Sequence, residues 1–192
     1  STAITCVKPS GTVSQLTNTA SGIHPRHNQY YIRTVRQDNK DPLTSFMKEA
    51  GFPWEPAFGK EDSTTVFSFG CKSPSGAVTR EQRTAIQQLE HWLVYQENWC
   101  EHKPSITAYV REHEWMEVGA WVYEHFDAIS GISFLPYDGG TYKQAPYTDC
   151  TKEEYEEALR VTPSADWSFL VEEEDNTSSS QQLACTGSSC EI

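Results

Sequence analysis

The residues Thr5-Cys6-Val7-Lys8-Pro9-Ser10-Gly11-Thr12-Val13-Ser14-Gln15-Leu16 run from an apolar stretch through a Pro-Ser-Gly-Thr turn into a helical pattern. The chemistry such a turn offers is anion binding. Ser10, Gly11, Thr12, Val13 and Ser14 let the backbone turn tightly and aim several N–H groups at one point, and a helix start behind them adds partial positive charge. The same residue types also make an ordinary N-cap, so both readings stand on these residues alone.

Two cysteines five apart, Cys185 and Cys190, are separated only by Thr, Gly and Ser. The residues around them can form no core, so they have no packing role. A dithiol that cycles with a disulfide suits this spacing, because the loop closes readily and an exposed thiol can be reached by a reductant. Unselected terminal residues and half of a zinc site are the alternatives, and two thiols do not complete zinc's ligand set. His24 and His27, three apart in Ser21-Gly22-Ile23-His24-Pro25-Arg26-His27, are equally short of ligands, so no metal site is expected.

These residues need elements to hold them. Val13–Thr19 predicts one or two helical turns after a strand at the very start of the chain. Residues 28–37 read as a strand with arginines on one face. Asp41 as N-cap, Pro42 at the first helical position and Gly51 as the stop delimit a short helix with Leu43, Phe46, Met47 and Ala50 along one face. Residues 52–62 read as a connection and 63–71 as a strand. Thr79-Arg80-Glu81-Gln82 is a capping box expected to open the longest helix, which carries Ile86, Leu89, Trp92 and Leu93 to about Trp99.

Residues 105–111, a helix with Trp115, Val118, Val122, Phe126 and Ile129 on one face, and residues 131–136 form a predicted βαβ unit. The nearly all-apolar last strand belongs in a sheet covered on both faces, so the fold class is α/β. Residues 137–142 read as a turn. Thr151 to Glu154 caps a last helix fading near Arg160, Asp166 to Leu170 can dock as a short apolar segment, and residues 172–182 have nothing to bury and are expected to be disordered.

The net charge is −12 over 192 residues, with ten acidic and two basic residues from Lys152 onward. That balance argues against a nucleic-acid surface, which would show a basic stripe. No apolar run is long enough to span a bilayer and no signal peptide is recognisable, so a cytoplasmic protein without membrane attachment is expected. The chain opens without Met on residues that already read as a strand, and it is expected to be the C-terminal portion of something larger. Cys6, Cys71, Cys100 and Cys150 lie isolated in apolar or aromatic contexts and read as buried thiols.

Taken together, VKPSGTVSQL, SGIHPRH, YYIRTVR, QLEHWLVYQENWCEHKPSITAYVREHEW, GISFLPYDGGTYKQAPY and CTGSSC resemble the C-terminal part of the monomeric class II ribonucleotide reductases, the adenosylcobalamin-dependent ribonucleoside-triphosphate reductases. The resemblance runs from Thr5 to Cys190. It implies the last part of a ten-stranded α/β barrel with cobalamin-side loops over residues 1–163, followed by a flexible tail over 164–192. It further implies that Ser10, Gly11, Thr12, Val13 and Ser14 hold the phosphates of a ribonucleoside triphosphate, and that Cys185 and Cys190 relay electrons from thioredoxin. Cobalamin contacts are expected in two loops, at Gly22 and His24 and at Gly139 and Gly140.

The family's Asn-x-Cys-x-Glu radical loop is absent, as is its N-terminal effector region, so the chain is expected to need the remaining part of the reductase for activity. Cys6 does not match that loop and is expected to be a barrel-interior thiol. The Asp-x-His-x-x-Gly motif of proteins that supply a histidine to cobalt is also absent, as the family's use of the cofactor's own base implies. A non-catalytic nucleotide-phosphate module, half of a split reductase and a class I large-subunit segment are the competing readings.

Overall fold

The computed structural model describes residues 2–138 and 143–171, together with the backbone of 185–186 and 189–190. In chain order the elements are α1 (Val13–Leu16), β1 (Tyr30–Asp38), α2 (Pro42–Glu49), β2 (Trp54–Pro56), β3 (Thr64–Lys72), α3 (Ala85–Asn98), β4 (Thr107–Val110), α4 (Trp115–Glu124), β5 (Ser133–Pro136), β6 (Tyr147–Asp149), α5 (Lys152–Val161), β7 (Cys185–Thr186) and β8 (Ser189–Cys190). The fold is mixed α/β. Two compact units divide it, one from residues 1–29 and 73–140 and one from 30–72 and 141–191.

The first unit is built on α3. Its start lies one step beyond the expected box: Thr79 and Gln82 close a 3-10 turn over Arg80–Gln82, Arg83 is extended, and a second box at Thr84 and Gln87 opens the α-helix. Thr84 Oγ1 accepts the Gln87 N–H at 3.1 Å while Gln87 Oε1 accepts the Thr84 N–H at 3.1 Å. Two T-x-x-Q patterns in tandem hide which one nucleates the helix. Ala85, Leu89, Trp92 and Leu93 then bury one face against Ala108 and Val110 of β4 and Val118 and Trp121 of α4. The buried indole N–H of Trp92 donates to the Pro104 carbonyl at 2.9 Å, which settles the ring's polar atom inside the core.

The expected βαβ unit is present, with β4 and β5 parallel in register from Thr107 opposite Ser133 to Val110 opposite Pro136. Two details differ from expectation. The buried face of α4 is Val118 and Trp121, while Phe126 is 71% exposed, because it lies beyond the helix in a 3-10 turn that changes the angular phase. Ser133 and Pro136 are exposed and Phe134 and Leu135 only half-buried, so among the described residues β5 is not covered on both faces. The start of the chain is extended without a strand ladder. Thr5 O accepts the His102 N–H and Val7 O the Ser105 N–H, so this segment runs parallel to the approach to β4, and the Glu101 carboxylate accepts the Ile4 N–H at 2.7 Å.

Glu114 ties the unit together from inside. Its buried carboxylate accepts the Ala85 N–H at 3.0 Å and the Arg111 N–H at 2.8 Å, joining the first turn of α3 to the end of β4.

The second unit is an antiparallel sheet of order β2-β3-β1-β6. The expected connection at 52–62 contributes the edge strand β2. Asp41 caps α2 through the Leu43 N–H at 2.9 Å, Pro42 starts it, and Gly51 stops it at φ +84°. Met47, Phe52 and Phe67 form the core, and Trp167 packs on Phe46 and Phe52 at ring separations of 5.3 and 6.0 Å, docking the apolar segment as expected. The Thr151–Glu154 box opens α5, which lies so close over β3 that a Cβ at Gly70 would stand 3.0 Å from Ala158 Cβ. Residues 172–184 and Gly139 and Gly140 lie outside the described residues. Among the described residues no helix is long and apolar enough to cross a membrane.

Glu114→Ala strands the Ala85 and Arg111 N–H groups in a dry site and should cost about 1–3 kcal/mol in urea unfolding. Glu114→Gln keeps an acceptor and should cost less.

Candidate functional site

The extended segment at residues 4–8 delivers the chain into the Pro-Ser-Gly-Thr turn. Lys8, the nearest cation in sequence, is occupied: its ammonium donates to the Lys103 carbonyl at 2.9 Å and to Ser105 Oγ at 3.1 Å. Ser10 and Ser14 are occupied too. Ser14 N–H donates to Ser10 Oγ at 3.1 Å, the Ser14 hydroxyl donates to the Ser10 carbonyl, and the Ser10 N–H is taken by Ser21 Oγ at 2.7 Å. These two serines therefore shape the turn. Among the described residues the Thr12 and Val13 N–H groups donate to nothing within the chain, and no atom lies within 4 Å of where a Gly11 Cβ would stand. The open end of the turn is thus two backbone donors beside a clear approach, which is what an anion needs. With α1 only four residues long, the N–H groups themselves outweigh any helix dipole.

Gly22 and His24 come from the loop that returns beneath this turn. Gly22 has φ +59°, and a Cβ there would stand 2.9 Å from the Lys8 carbonyl oxygen, so the crossing demands glycine. His24 is half-buried between two backbones. Nδ1 bonds to the Ser21 carbonyl at 2.8 Å and Nε2 to the Thr107 N–H at 2.9 Å, an arrangement that requires the neutral ring with its proton on Nδ1. Burial pushes its pKa below the ordinary 6.5, opposed in part by the Ser21 carbonyl. Both nitrogens are used, so any ligand would meet only the carbon edge of the ring. Among the described residues no group of three potential metal ligands occurs.

Gly22 and His24 also line a cavity of about 430 Å³, walled by Ile23, Pro25, Ala77 and Val78 and by Arg83, Gln87 and His91 at the start of α3. Arg26 fixes this wall. Its guanidinium donates to Asn18 Oδ1 at 2.8 Å, to the Thr19 carbonyl and to Ser73 Oγ at 3.3 Å, while its backbone bridges to Val78 and Arg80. Sequence reasoning missed Arg26, Arg83 and His91, since only folding brings the loop against α3. It also missed a stack at the carboxyl ends of β4 and β5, where the Arg80 guanidinium lies 5.2 Å from the Tyr109 ring and 5.0 Å from Tyr137, with Arg111 at 5.0 Å from Tyr137. Carboxyl ends of parallel strands are where such folds bind ligands.

The cysteines divide. Cys100 is buried as expected, Cys71 and Cys150 are half-buried, and Cys6 is exposed, contrary to the expected interior thiol. The thiol of Cys150 is pushed up by burial first and then by Glu154 and Asp149. In the β7–β8 hairpin the Cys185 and Cys190 positions stand opposite one another.

No protein-family model matches the chain. It is 31% identical over 190 residues to an adenosylcobalamin-dependent ribonucleoside-triphosphate reductase of Euglena gracilis, covering 97% of this chain and 26% of that protein. The reductase of the same description from Lactobacillus acidophilus is 30% identical over 200 residues, covering 98% of this chain and 26% of its own length. The crystal structure of a B12-dependent class II ribonucleotide reductase superposes with a TM-score of 0.67 at 27% identity, over 83% of this chain and 23% of that one. Over nearly its whole length the chain is similar to the adenosylcobalamin-dependent ribonucleoside-triphosphate reductases. It spans about a quarter of the length of these reductases. The turn, the returning loop and the βαβ unit all fall within that reductase-like stretch.

His24 gives this site a pH signature. Its folded pKa is depressed, so the unfolded state binds the extra proton first, and stability is complete above the unfolded value of about 6.5 and falls as pH drops through it toward the folded value. In urea titrations from pH 8 to pH 5, His24→Gln should flatten this part of the pH dependence.

Proposed function

We propose that this chain supplies the substrate-phosphate turn, part of the cobalamin contacts and the dithiol shuttle of a ribonucleotide reductase that converts ribonucleoside triphosphates to deoxyribonucleotides. The observation that carries the reading is the pair of unengaged N–H groups at Thr12 and Val13, set in a stretch whose relatives bear that reductase name throughout. Phosphate oxygens would accept these hydrogen bonds. Ser10 and Ser14 would keep the turn in shape, and the gain is positioning: a triphosphate held at one end brings its ribose to a fixed place.

The cofactor fits with limits. Pro25 of the returning loop, with Ala77 and Val78 beside it, gives a partly exposed apolar wall suited to the edge of a large ring system, and His24 offers no nitrogen to cobalt. Gly22 and His24 would touch that edge by van der Waals contact, and Gly139 and Gly140, outside the described residues, are proposed for the second loop. Adenosylcobalamin, when bound, supplies the radical that starts turnover.

We assign Cys185 and Cys190 the task of reducing the active-site disulfide formed in each turnover, with thioredoxin restoring their own. Each exchange would move two electrons in two attacks: one thiolate of the pair breaks the disulfide to form a mixed disulfide, and the second cysteine then attacks that bond to close Cys185–Cys190 as a disulfide, the two released thiolates taking up the two protons the pair gives up. The remaining polypeptide would provide the radical cysteine and complete the ten-stranded barrel, which the half-covered β5 is suited to join, and the whole would work in the cytoplasm.

The test joins this chain to the rest of such a reductase and measures ribonucleoside-triphosphate reduction with adenosylcobalamin and thioredoxin. Thr12→Pro removes one phosphate donor and should raise KM about tenfold. Cys185→Ser with Cys190→Ser should abolish turnover with thioredoxin yet leave it with a small dithiol. Full turnover of the double variant with thioredoxin overturns the shuttle, and cobalamin-independent turnover overturns the class.

A further inference from the structure

The cavity beneath the turn has two kinds of polar wall. On one side the polar atoms are spent: both nitrogens of His24, the guanidinium of Arg26, and the amide of Gln88, which holds the Tyr109 backbone at both its N–H and its carbonyl. On the other side, among the described residues, the Arg83 guanidinium, the Gln87 side-chain NH₂ and both His91 nitrogens have no hydrogen-bonding partner within the chain. His91 makes only an edge contact with the Tyr95 ring. Three side chains with unengaged donors therefore line one space, Arg83 half-buried and Gln87 and His91 exposed at its mouth.

The charge around that space is equally one-sided. The chain carries 27 acidic residues, yet none lines the cavity, whereas two arginines and two histidines do. Arg83 and His91 lie near enough that the guanidinium adds to burial in holding the imidazole below its ordinary pKa. Among the described residues Arg83 is the one unspent cation here, and with two neutral donors beside it and no carboxylate in the lining the setting favours an anion. The remaining wall, Ile23, Pro25, Ala77 and Val78, is apolar, and a volume of about 430 Å³ is that of a small-ligand site.

We propose that this cavity binds a phosphate ester carrying a planar ring, the phosphate on Arg83, Gln87 and His91 and the ring against Pro25, Ala77 and Val78. The site is separate from the Thr12 and Val13 donors. A free nucleotide and the phosphodiester of a cobalamin's nucleotide tail share this chemistry, and only the second source rests on the cofactor reading given above.

The experiment is calorimetric titration of the full 192-residue chain with adenosine 5′-monophosphate, with inorganic phosphate and with hydroxocobalamin, alongside NMR titration of the His91 ring. Adenosine monophosphate should bind more tightly than phosphate, raise the pKa of His91, and lose about tenfold in affinity in Arg83→Ala, with a partial return in Arg83→Lys. Thr12→Pro should leave that affinity unchanged. Competition by hydroxocobalamin assigns the site to the cofactor's own phosphodiester; binding without competition assigns it to a free nucleotide. The proposal is overturned if Arg83→Ala and His91→Gln bind as the parent does, if Thr12→Pro is the variant that fails, or if no phosphate probe binds. A reconstituted reductase that works with cobalamin would still stand in the last case, so the two readings fail separately.

Discussion

The crossing of Gly22 beneath the Lys8 carbonyl is the contact on which the site depends. The approach leaves no room for a Cβ, which would stand 2.9 Å from that oxygen, and the backbone there is left-handed at φ +59°. Because the loop can pass so close, Ser21 Oγ reaches the Ser10 N–H, and His24 reaches the Thr107 N–H two residues later. Turn, loop and β4 are thereby joined through polar groups that would otherwise be buried without partners. An alanine at 22 would force the Lys8 backbone aside and move the turn with it.

A second economy of polar groups operates around α3. Glu114 satisfies two backbone donors from inside the core, Gln88 holds the Tyr109 backbone, and Trp92 gives its indole N–H to Pro104. The apolar cluster of Leu89, Trp92, Val110 and Val118 supplies most of the driving force, while these polar links set the register between helix and strand. That division matters for the cavity, since the residues that fix its walls are already satisfied and the ones left at its mouth are not.

The β4–β5 pair is a small parallel sheet covered by α3 and α4, and two strands alone are marginal in water. Its half-covered second strand is consistent with a chain that spans about a quarter of its relatives. In the antiparallel sheet of the other unit α5 packs so tightly over Gly70 that no larger side chain fits there without moving Ala158 or Tyr155.

Much of this was legible from local pattern. Helix starts at Asp41 and Thr151, the strands around residues 30–38 and 64–72 and the βαβ order all rest on short-range chemistry, where residue type and spacing act directly on the neighbouring backbone. Where two local signals competed, at Thr79 and Thr84, the pattern could not rank them. What the tertiary structure decided is which polar groups remain available: Lys8, His24 and the Ser10 N–H are consumed by partners distant in sequence, while Ser14 is taken by Ser10 within the turn, leaving the Thr12 and Val13 N–H groups at the turn and Arg83, Gln87 and His91 at the cavity. A sequence names the donors and acceptors, but a hydrogen bond is a distance, and distances between residues as far apart as 24 and 107 exist only after folding.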